Sequence, residues 1–288
     1  MIVKEMTVPP QGEGERADKL IRRYFPELPE RSVRDAFSRK DVKLDGKRVP
    51  KDTVVRAGQV LKIYTAEENA AGPEVVYEDA RILLVNKPAG VSVEPDAKGG
   101  VTLTDLCAAY VRKENPAAEA PMACHRLDNP TCGLCLFAKD EETKEILEDM
   151  FRNRSMEKEY ECLVRGLPKP PAAVCTAYLV KDAKAARVRV TDRPEEGAKK
   201  IVTGYETKEA GPVSRLRVRL MTGRTHQIRA HLAALGHPIL GDDVYGDRAF
   251  NRAKKARGLK LCAVRMKMDT EGKIPELDGK EFEIRAPF

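Results

Sequence analysis

The sequence predicts an α+β protein with two domains. Its 288 residues exceed what one small hydrophobic core usually needs. Strand-like runs outnumber helical ones and do not alternate regularly with them, which favours a mainly antiparallel mixed sheet flanked by helices. Residues 66–74, AEENAAGPE, lose all periodicity and indicate a linker. We therefore expect a small α/β domain at 1–65 and a larger domain at 75–288.

The small domain is predicted to hold two short helices and a few strands. Apolar residues recur at helical spacing over 16–25 and again over 31–40. A hairpin with the turn pair Asp45-Gly46 should follow, and residues 54–64 are typical of two strands separated by Gly58. The helices present basic side chains, and the candidate set for contacting a polyanion is Arg22, Arg23, Arg31, Arg34, Arg39 and Lys40.

Charge is distributed unevenly along the chain. The net charge is +7, and residues 1–65 carry fifteen Lys or Arg against ten Asp or Glu, a surplus of five. A basic lobe joined to a nearly neutral remainder is typical of a module that binds a polyanion. An ordinary solvated basic surface would have the same composition, so charge alone leaves both interpretations open.

The larger domain is predicted from strand-like and helical patterns. Helices are expected at about 140–152 and 226–235, where Thr225 is suited to the N-cap and Gly236 to the position after the C-cap. The predicted strands cover residues 82–86, 133–138, 160–164, 187–190 and 213–221.

Composition argues against several protein classes. No apolar run approaches the roughly 20 residues of a membrane-spanning helix, and the first residues lack the apolar core of a secretory signal. Seven cysteines without framework spacing favour reduced thiols and a cytoplasmic protein. We expect the Cys132-x-x-Cys135 pair to be buried in the core, because it opens an apolar strand and has no second pair to complete a zinc site.

Four segments contain residues that could carry chemistry. In His125-Arg126-Leu127-Asp128, a strand would place Arg126 and Asp128 on one face, where the arginine would keep the carboxylate ionised. A simple Asp-Asn-Pro turn with a salt bridge explains the same residues.

The other three segments are equally ambiguous when taken singly. In 223–232, Arg224 and Arg229 flank a helix N-terminus that favours an anion. His226 and His231 lie five residues apart, which does not place them on one helix face like a metal-binding pair, so we expect them to form hydrogen bonds. Residues 158–161 place Tyr160 in a strand, where packing is the default role, and residues 86–90 form a strand end and a turn.

Together, in order and spacing, the four segments resemble the RluA family of pseudouridine synthases. The resemblance covers about Val75 to the C-terminus and rests on Asn-Lys-Pro-x-Gly, His-Arg-Leu-Asp-x-x-Thr-x-Gly-Leu, Lys-x-Tyr and Gly-Arg-x-His-Gln-x-Arg-x-His. The N-terminal unit is similar to the small S-four-type RNA-binding domain that many members carry. The resemblance implies isomerisation of uridine to pseudouridine in RNA without a metal or organic cofactor.

The resemblance also implies roles for individual residues. Asp128 would be the essential carboxylate, attacking the ribose or the uracil or removing a sugar proton. Arg229 would keep it anionic, and Tyr160 would lie against the uracil and assist removal of the C5 proton. The substrate-binding set would be Arg126, which fills the space of the flipped nucleotide, together with Ile228, Arg224 and His125.

Two departures from the family pattern leave the substrate open. Asn129 and Pro130 stand where the family often has an arginine and an acidic residue, and Cys132 stands where it often has serine. A monomer acting on ribosomal RNA, most plausibly of the large subunit, is the leading expectation, and transfer RNA is the alternative.

Two functions from other classes compete with this interpretation. A non-catalytic RNA-binding protein would be shown by an RNA assay that finds no pseudouridine. A metal-dependent hydrolase using His226 and His231 would lose its activity in a chelator.

Overall fold

A computed structural model describes residues 2–25, 28, 30–65, 72–95, 101–115, 117–153, 155–182 and 187–288. The described residues pack as two compact units. The first lies within 1–75 and 90–123, and the second within 76–89 and 124–288. Residues 90–123, which lie within the larger domain expected from the sequence, cluster with the first unit.

The first unit contains a four-stranded antiparallel sheet in the order β1-β4-β2-β3. Two helices accompany it, and their apolar faces build its core, which includes Leu20, Ile21, Val33 and Leu61. The elements are β1 (Ile2–Thr7), α1 (Ala17–Tyr24), α2 (Glu30–Ser38), β2 (Val42–Leu44), β3 (Lys47–Arg48) and β4 (Val60–Thr65). A 3-10 turn at Pro10–Gly12, helix α3 (Leu103–Glu114) and strand β7 (Met122–Ala123) complete the unit.

The predicted hairpin turn is confirmed, because both Asp45 and Gly46 have positive φ, as a tight two-residue turn requires. The predicted strand before Gly58, at 54–57, is wrong. Val54 is 59% exposed and makes a single bridge to Arg16, and Gly58 turns the chain with φ +84° before β4 begins. Strand β1 and helix α3 were not predicted. The described linker residues include Glu74, which opens a strand, while 66–71 lie outside the described residues.

The second unit is built on one large sheet, in the order β11-β10-β12-β13-β9-β14-β8-β6-β5 with β15 beside β14. Among β6 and β8 to β15, neighbouring strands are antiparallel except for the parallel pair β8 and β14. This confirms the predicted α+β class with a mainly antiparallel mixed sheet. The strands are β5 (Glu74–Glu78), β6 (Ile82–Lys87), β8 (Cys132–Ala138), β9 (Glu157–Arg165), β10 (Ala172–Asp182), β11 (Arg187–Thr191), β12 (Lys199–Glu209), β13 (Val213–Leu220), β14 (Leu261–Lys267) and β15 (Glu281–Glu283).

Three helices belong to this unit: α4 (Glu141–Asn153), α5 (Gln227–Ala234) and α6 (Arg248–Ala253). Helix α4 packs its Leu147 and Met150 on one part of the sheet, and α5 packs its Ile228 and Leu232 on another. Strand β8 is buried along its whole length, including Cys132 and Cys135, as predicted for the Cys-x-x-Cys pair. Within the described part of the chain, no helix is both long enough and apolar enough to span a membrane.

Candidate active site

The loop that carries Asp128 follows β7 and is not a strand. The chain bends after Ala123, so residues 125–128 do not form the strand that would have placed Arg126 and Asp128 on one face. The predicted alternation of side chains is nevertheless present: Arg126 is exposed, Leu127 is buried and Asp128 is half-buried. Leu127 anchors the loop by packing in a core cluster that also holds Tyr160 and Ile228.

Two hydrogen bonds shape the turn after Asp128. The Thr131 N–H donates to the Asp128 carbonyl at 2.9 Å, and the Lys87 ammonium donates to the Asn129 carbonyl at 3.0 Å. Lys87 is fully buried and also donates to the Pro88 carbonyl at 3.0 Å. Burial lowers the pKa of Lys87 to about 8. This lysine therefore ties the end of β6 to the turn that holds Asp128.

Gly133 fixes the start of β8 against β14. Its φ is +113°, and a Cβ at this position would lie 2.2 Å from the Ala263 carbonyl oxygen. No other residue type allows the two backbones to approach this closely. The glycine of the His-Arg-Leu-Asp segment thus has a structural role directly beyond the Asp128 turn.

Arg229 is the centre of the ion-pair network around Asp128. It lies on α5, and its side chain is 3% exposed. Its Nε and Nη2 donate to the two oxygens of Asp242 at 2.8 and 2.9 Å, and its Nη1 donates to Asp128 Oδ2 at 3.3 Å. Burial alone would lower the pKa of Arg229, but hydrogen bonds and attraction from Asp242 and Asp128 outweigh it and raise that pKa. The guanidinium therefore stays charged beside Asp128.

The Asp242 loop holds this arginine in place. The Asp242 side chain is 1% exposed and also accepts from the Val244 and Tyr245 N–H groups, each at 2.9 Å. Burial would raise the pKa of Asp242, yet the bonds from Arg229 and from these backbone groups lower it. A buried carboxylate with all these donors keeps the arginine oriented toward Asp128.

His226 approaches Asp128 from the start of α5. It is the N-cap residue, has φ +55° and makes no side-chain capping bond. The prediction that Thr225 is the N-cap is therefore wrong. The Nε2 atom of His226 lies 3.8 Å from Asp128 Oδ2, and its Nδ1 lies 2.8 Å from the Tyr245 hydroxyl. Gly236, with φ +87°, ends the helix as predicted.

The hydrogen-bond partners of His226 favour one tautomer of its neutral ring, the one with the proton on Nε2. A neutral ring with its proton on Nδ1 would turn the Nε2 lone pair toward the Asp128 carboxylate, which is electrostatically unfavourable. The Tyr245 hydroxyl already accepts from the Val188 N–H at 2.9 Å, so its own proton is available for Nδ1. In the neutral ring, Nε2–H then points toward Asp128, and in the protonated ring it does so as well.

The wall beside Asp128 is apolar. Tyr160 is 6% exposed and Ile228 is 4% exposed, and both belong to the cluster that contains Leu127. Burial, followed by the negative charge of Asp128, raises the pKa of Tyr160 well above its usual range. Its hydroxyl is therefore neutral at physiological pH, and Tyr160 cannot act as a phenolate.

Known proteins resemble this chain over the segment that holds these residues. Residues 81–234, which contain Asp128, Tyr160 and Arg229, match the RNA pseudouridylate synthase family. The ribosomal large subunit pseudouridine synthase C of Escherichia coli (strain K12) is 31% identical, and the alignment covers 99% of this chain and 93% of that protein.

The chain belongs to the RNA pseudouridylate synthase family, in its RluA-type branch.

A second relative, the ribosomal large subunit pseudouridine synthase C of Vibrio vulnificus (strain CMCP6), is 30% identical over 85% of this chain and 81% of its own. Among solved structures, human RNA Pseudouridylate Synthase Domain Containing 1 is 25% identical with a TM-score of 0.59, covering 75% of this chain and 83% of its own. Human RNA Pseudouridylate Synthase Domain Containing 4, at 24% identity and a TM-score of 0.62, shares the fold over 74% of this chain and 88% of its own. The predicted isomerase activity is thus confirmed at the level of the family.

The structure does not bring every candidate residue of this synthase together. The His125 ring packs on Phe151 with ring centroids 4.6 Å apart, and its Nε2 accepts from the Leu136 N–H at 3.1 Å. Burial lowers the pKa of His125 to about 3. These contacts turn the ring into the core beneath α4, so they assign His125 a packing role in place of the expected substrate contact. Arg224 and Arg126 are exposed.

The two remaining histidines of interest separate clearly. His231 is buried, its Nδ1 lies 3.0 Å from the Thr203 hydroxyl, and burial lowers its pKa. Both His226 and His231 therefore have hydrogen-bonding roles, as predicted. A metal site that uses His231 would have to break its bond in the core.

Sequence reasoning gave no role in the site to three residues that organise it, Lys87, Asp242 and Tyr245, and it gave His226 only a hydrogen-bonding role. Lys87 stands in the Asn-Lys-Pro-x-Gly segment and was noted only as part of that motif. The sequence signal for Asp242 was the glycine directly before it, Gly241. In the structure Gly241 has φ +78°, and a Cβ added to it would lie 1.9 Å from the Gly258 carbonyl oxygen. Tyr245 gave no signal, because its role depends on a loop that returns to the start of α5.

Proposed function

We propose that this pseudouridine synthase modifies ribosomal RNA of the large subunit, with Asp128 as its catalytic carboxylate. The substrate class is supported by the relatives, which are named as ribosomal large subunit pseudouridine synthases and align over nearly the whole chain. The catalytic assignment rests on one observation: a half-exposed carboxylate is held beside a buried arginine that cannot lose its charge. Transfer RNA remains the alternative substrate.

The geometry gives the two oxygens of Asp128 different roles. Arg229 and His226 both approach Oδ2, whereas Oδ1 has no hydrogen-bond partner among the described residues. The Asp128 side chain is 24% exposed, so a nucleotide can reach it. Oδ1 is thus the oxygen that would attack the ribose, attack the uracil or remove a sugar proton. The reaction breaks C1′–N1 and forms C1′–C5, so the base must rotate without leaving the site.

The neighbouring residues would bind the flipped nucleotide. Tyr160 and Ile228 offer an apolar wall for the uracil, which explains why their burial is useful for function as well as packing. The neutral Tyr160 hydroxyl can exchange hydrogen bonds with the base, and any help in removing the C5 proton must come from that neutral form. Exposed Arg126 would occupy the stack that the nucleotide leaves, and exposed Arg224 would contact a phosphate.

The N-terminal 65 residues would extend the RNA contact as an S-four-type domain, joined by a linker at 66–74 to a catalytic domain at 75–288. Arg22, Arg34, Arg39 and Lys40 are exposed, while Arg23 pairs with Glu15 at 2.5 Å; the Arg31 side chain lies outside the described residues. We expect neutral substitutions at Arg34 and Arg39 to reduce the salt dependence of RNA binding. An unchanged salt slope would show that this surface does not contact the RNA backbone.

Two further properties belong to the same proposal. All seven cysteines are free, and six of them are buried, which fits a reducing compartment such as the cytoplasm. We propose that the enzyme acts there as a monomer, and sedimentation of the purified protein would test the second point.

The decisive experiment maps pseudouridines in the RNA of four strains. One carries the intact gene, one lacks it, and one carries Asp128→Asn, with Asp149→Asn as a control because Asp149 lies on the surface of α4 and pairs with Arg152. We expect a site in large-subunit ribosomal RNA to be lost in the deletion and Asp128→Asn strains only. Loss confined to transfer RNA would overturn the substrate proposal, and full product from Asp128→Asn would overturn the catalytic one.

A further inference from the structure

A strongly basic segment lies next to the loop that holds Arg229. Residues 248–257, RAFNRAKKAR, contain five Lys or Arg and no acidic residue. All five side chains are on exposed residues: Arg248, Arg252, Lys254, Lys255 and Arg257. We name these five residues the basic platform.

The platform is unusual because its charges are uncompensated. Within the described ranges of the chain, none of its five cations forms an ion pair; Lys254 lies over the Phe250 ring at 5.9 Å. The arginines on one face of the large sheet, by contrast, are matched: Arg217, for example, pairs with three different glutamates. Grouped cations without carboxylates repel each other, so such a group is favourable mainly when an external polyanion neutralises it.

The platform is fixed to the candidate active site through Asn251. Its amide Nδ2 donates to the Asp242 carbonyl at 3.0 Å, and its Oδ1 accepts from the Gly241 N–H at 2.9 Å. The Asp242 side chain holds Arg229, which in turn pairs with Asp128. Two residues, Asn251 and Asp242, thus connect the platform to the catalytic arginine.

The loop that bears the platform is closed at its base. A Cβ on Gly241 would lie 1.9 Å from the Gly258 carbonyl oxygen, and one on Gly246 would lie 2.1 Å from the Asp242 carbonyl oxygen. The Lys260 N–H also donates to the Leu240 carbonyl at 2.9 Å. The two ends of the loop therefore touch, and the cations project from a loop that is already folded rather than from a tail.

We propose that the basic platform binds backbone phosphates of the RNA strand next to the target uridine. This inference rests on the proposed function of Asp128. The platform is connected to Asp128 through Asn251, Asp242 and Arg229, and this connection is the reason for choosing RNA as the polyanion. A flipped nucleotide leaves its flanking phosphates close to the catalytic carboxylate, and cations there would hold the strand while the base rotates. The six residues of α6 include none that is buried, so the segment lacks the apolar face with which an amphipathic helix enters a membrane.

The test removes three platform charges without touching Asn251. The variant Arg248→Gln, Arg252→Gln, Arg257→Gln is compared with Arg152→Gln, Lys208→Gln, Lys273→Gln, which removes three exposed charges elsewhere. Binding of a twenty-nucleotide oligouridine is measured from 50 to 300 mM salt. Each lost phosphate contact should reduce the slope of log affinity against log salt by about 0.7 for a single strand. We expect the platform variant to lose about 2 units of slope and at least tenfold in affinity at 150 mM salt, and the control to lose less than 1 unit.

A second readout separates this inference from the proposed function. With a transcript of large-subunit ribosomal RNA, the platform variant should raise KM at least fivefold and leave kcat within twofold of the unaltered enzyme. Equal salt slopes for the two triple variants would overturn the proposal that the platform binds RNA phosphates. Binding to phosphatidylserine vesicles but not to oligouridine would overturn it as well. In either case, product formation by the unaltered enzyme would still support the proposed function. Absence of product from the unaltered enzyme on this transcript would count against the proposed substrate instead, since oligouridine binding does not depend on it.

Discussion

Two arginine–carboxylate networks in the second unit have similar chemistry but different surroundings. The sheet-face network joins arginines of β13 and β14 to glutamates of β9 and β15: Arg215, Arg217, Arg219, Arg265, Glu159, Glu161, Glu281 and Glu283. The Arg229 network joins one arginine to Asp128 and Asp242, with the 87% exposed Asp243 at 3.6 Å from Nη2. The first lies on one face of the sheet, whereas in the second Arg229 and Asp242 are buried and Asp128 is partly exposed.

The difference shows what separates a structural ion pair from a reactive one. Alternate residues of β13 face opposite sides, so its arginines line the solvent side while Leu216 and Val218 enter the core. Each of their charges has partners and water. In the Arg229 network, water is excluded from Asp242, whereas Asp128 is 24% exposed and has an oxygen, Oδ1, without a hydrogen-bond partner among the described residues. Burial on one side and an open oxygen on the other, rather than the number of charges, mark the active site.

The largest effect of a substitution on stability and activity is expected at Arg229. Arg229→Met leaves Asp242 buried without its cation, and we expect the free energy of unfolding to fall by about 3–5 kcal/mol. Adding Asp242→Asn removes the stranded charge and keeps an acceptor for the Val244 and Tyr245 N–H groups, so stability should partly return. Pseudouridine formation should stay lost in both variants, because Asp128 has lost its cation. Urea unfolding and a product assay check this, and a loss below 1 kcal/mol in the single variant would contradict it.

Burial should also make stability depend on pH where the buried group has no ion pair, as at His125. The unfolded chain takes up a proton near pH 6.5, whereas the folded chain resists it down to a pKa of about 3. Stability is therefore complete above pH 6.5 and is lost as the pH falls from 6.5 toward 3. Between pH 7 and 5, this one group should cost on the order of 2 kcal/mol.

The matching variant is His125→Gln, which cannot be protonated. Its unfolding free energy, measured in urea at pH 7, 6 and 5, should fall by about 2 kcal/mol less than that of the unaltered protein. His237→Gln is the control, because that ring bonds the Arg165 carbonyl outside the core clusters. Parallel pH profiles for His125→Gln and the unaltered protein would refute the assignment.

The sequence indicated Asp128 and Arg229 but not the residues that orient them. Asp128, Arg229 and Tyr160 were predicted from the order and spacing of motifs, and hydrophobic alternation predicted β6, β8, β9 and most of β13. The strands β10 and β12 were missed because they mix polar and apolar residues on a half-exposed sheet. The parts of the site that depend on tertiary contacts, Asp242 with Arg229 and Tyr245 with His226, have no local pattern. His125 shows the converse: its motif was correct, but its side chain faces the core.

A smaller effect is expected where the Arg229 network meets a neutral partner, at Tyr245. Tyr245→Phe removes the hydroxyl that bonds His226 Nδ1, so the ring can turn its Nε2–H away from Asp128. One such hydrogen bond is worth about 0.5–1.5 kcal/mol, which corresponds to a fall in kcat of roughly threefold to tenfold. KM should remain within twofold.

Two variants test the chemistry of that contact. His226→Gln keeps an N–H that can reach Asp128, whereas His226→Asn suits the left-handed backbone but is shorter. If Nε2–H is what matters, the glutamine variant should retain more activity than the asparagine one. Tyr205→Phe is the control, because its hydroxyl bonds the Pro170 carbonyl. Equal kcat for Tyr245→Phe and Tyr205→Phe would mean that the His226 ring needs no partner.

The smallest effect should come from the sheet-face network, at Arg219. Its side chain is 69% exposed and donates to Glu159 at 3.0 Å, and Glu159 keeps Arg217 and Arg265 when Arg219 is replaced. Arg219→Gln should therefore lower the free energy of unfolding by less than about 1 kcal/mol, and 0.5 M salt should remove most of that difference. Product formation should be unchanged, because no part of this network reaches Asp128. A loss above 2 kcal/mol, or a fall in kcat, would show that the sheet-face network is coupled to the core and that the exposure of Arg219 does not make its ion pair dispensable.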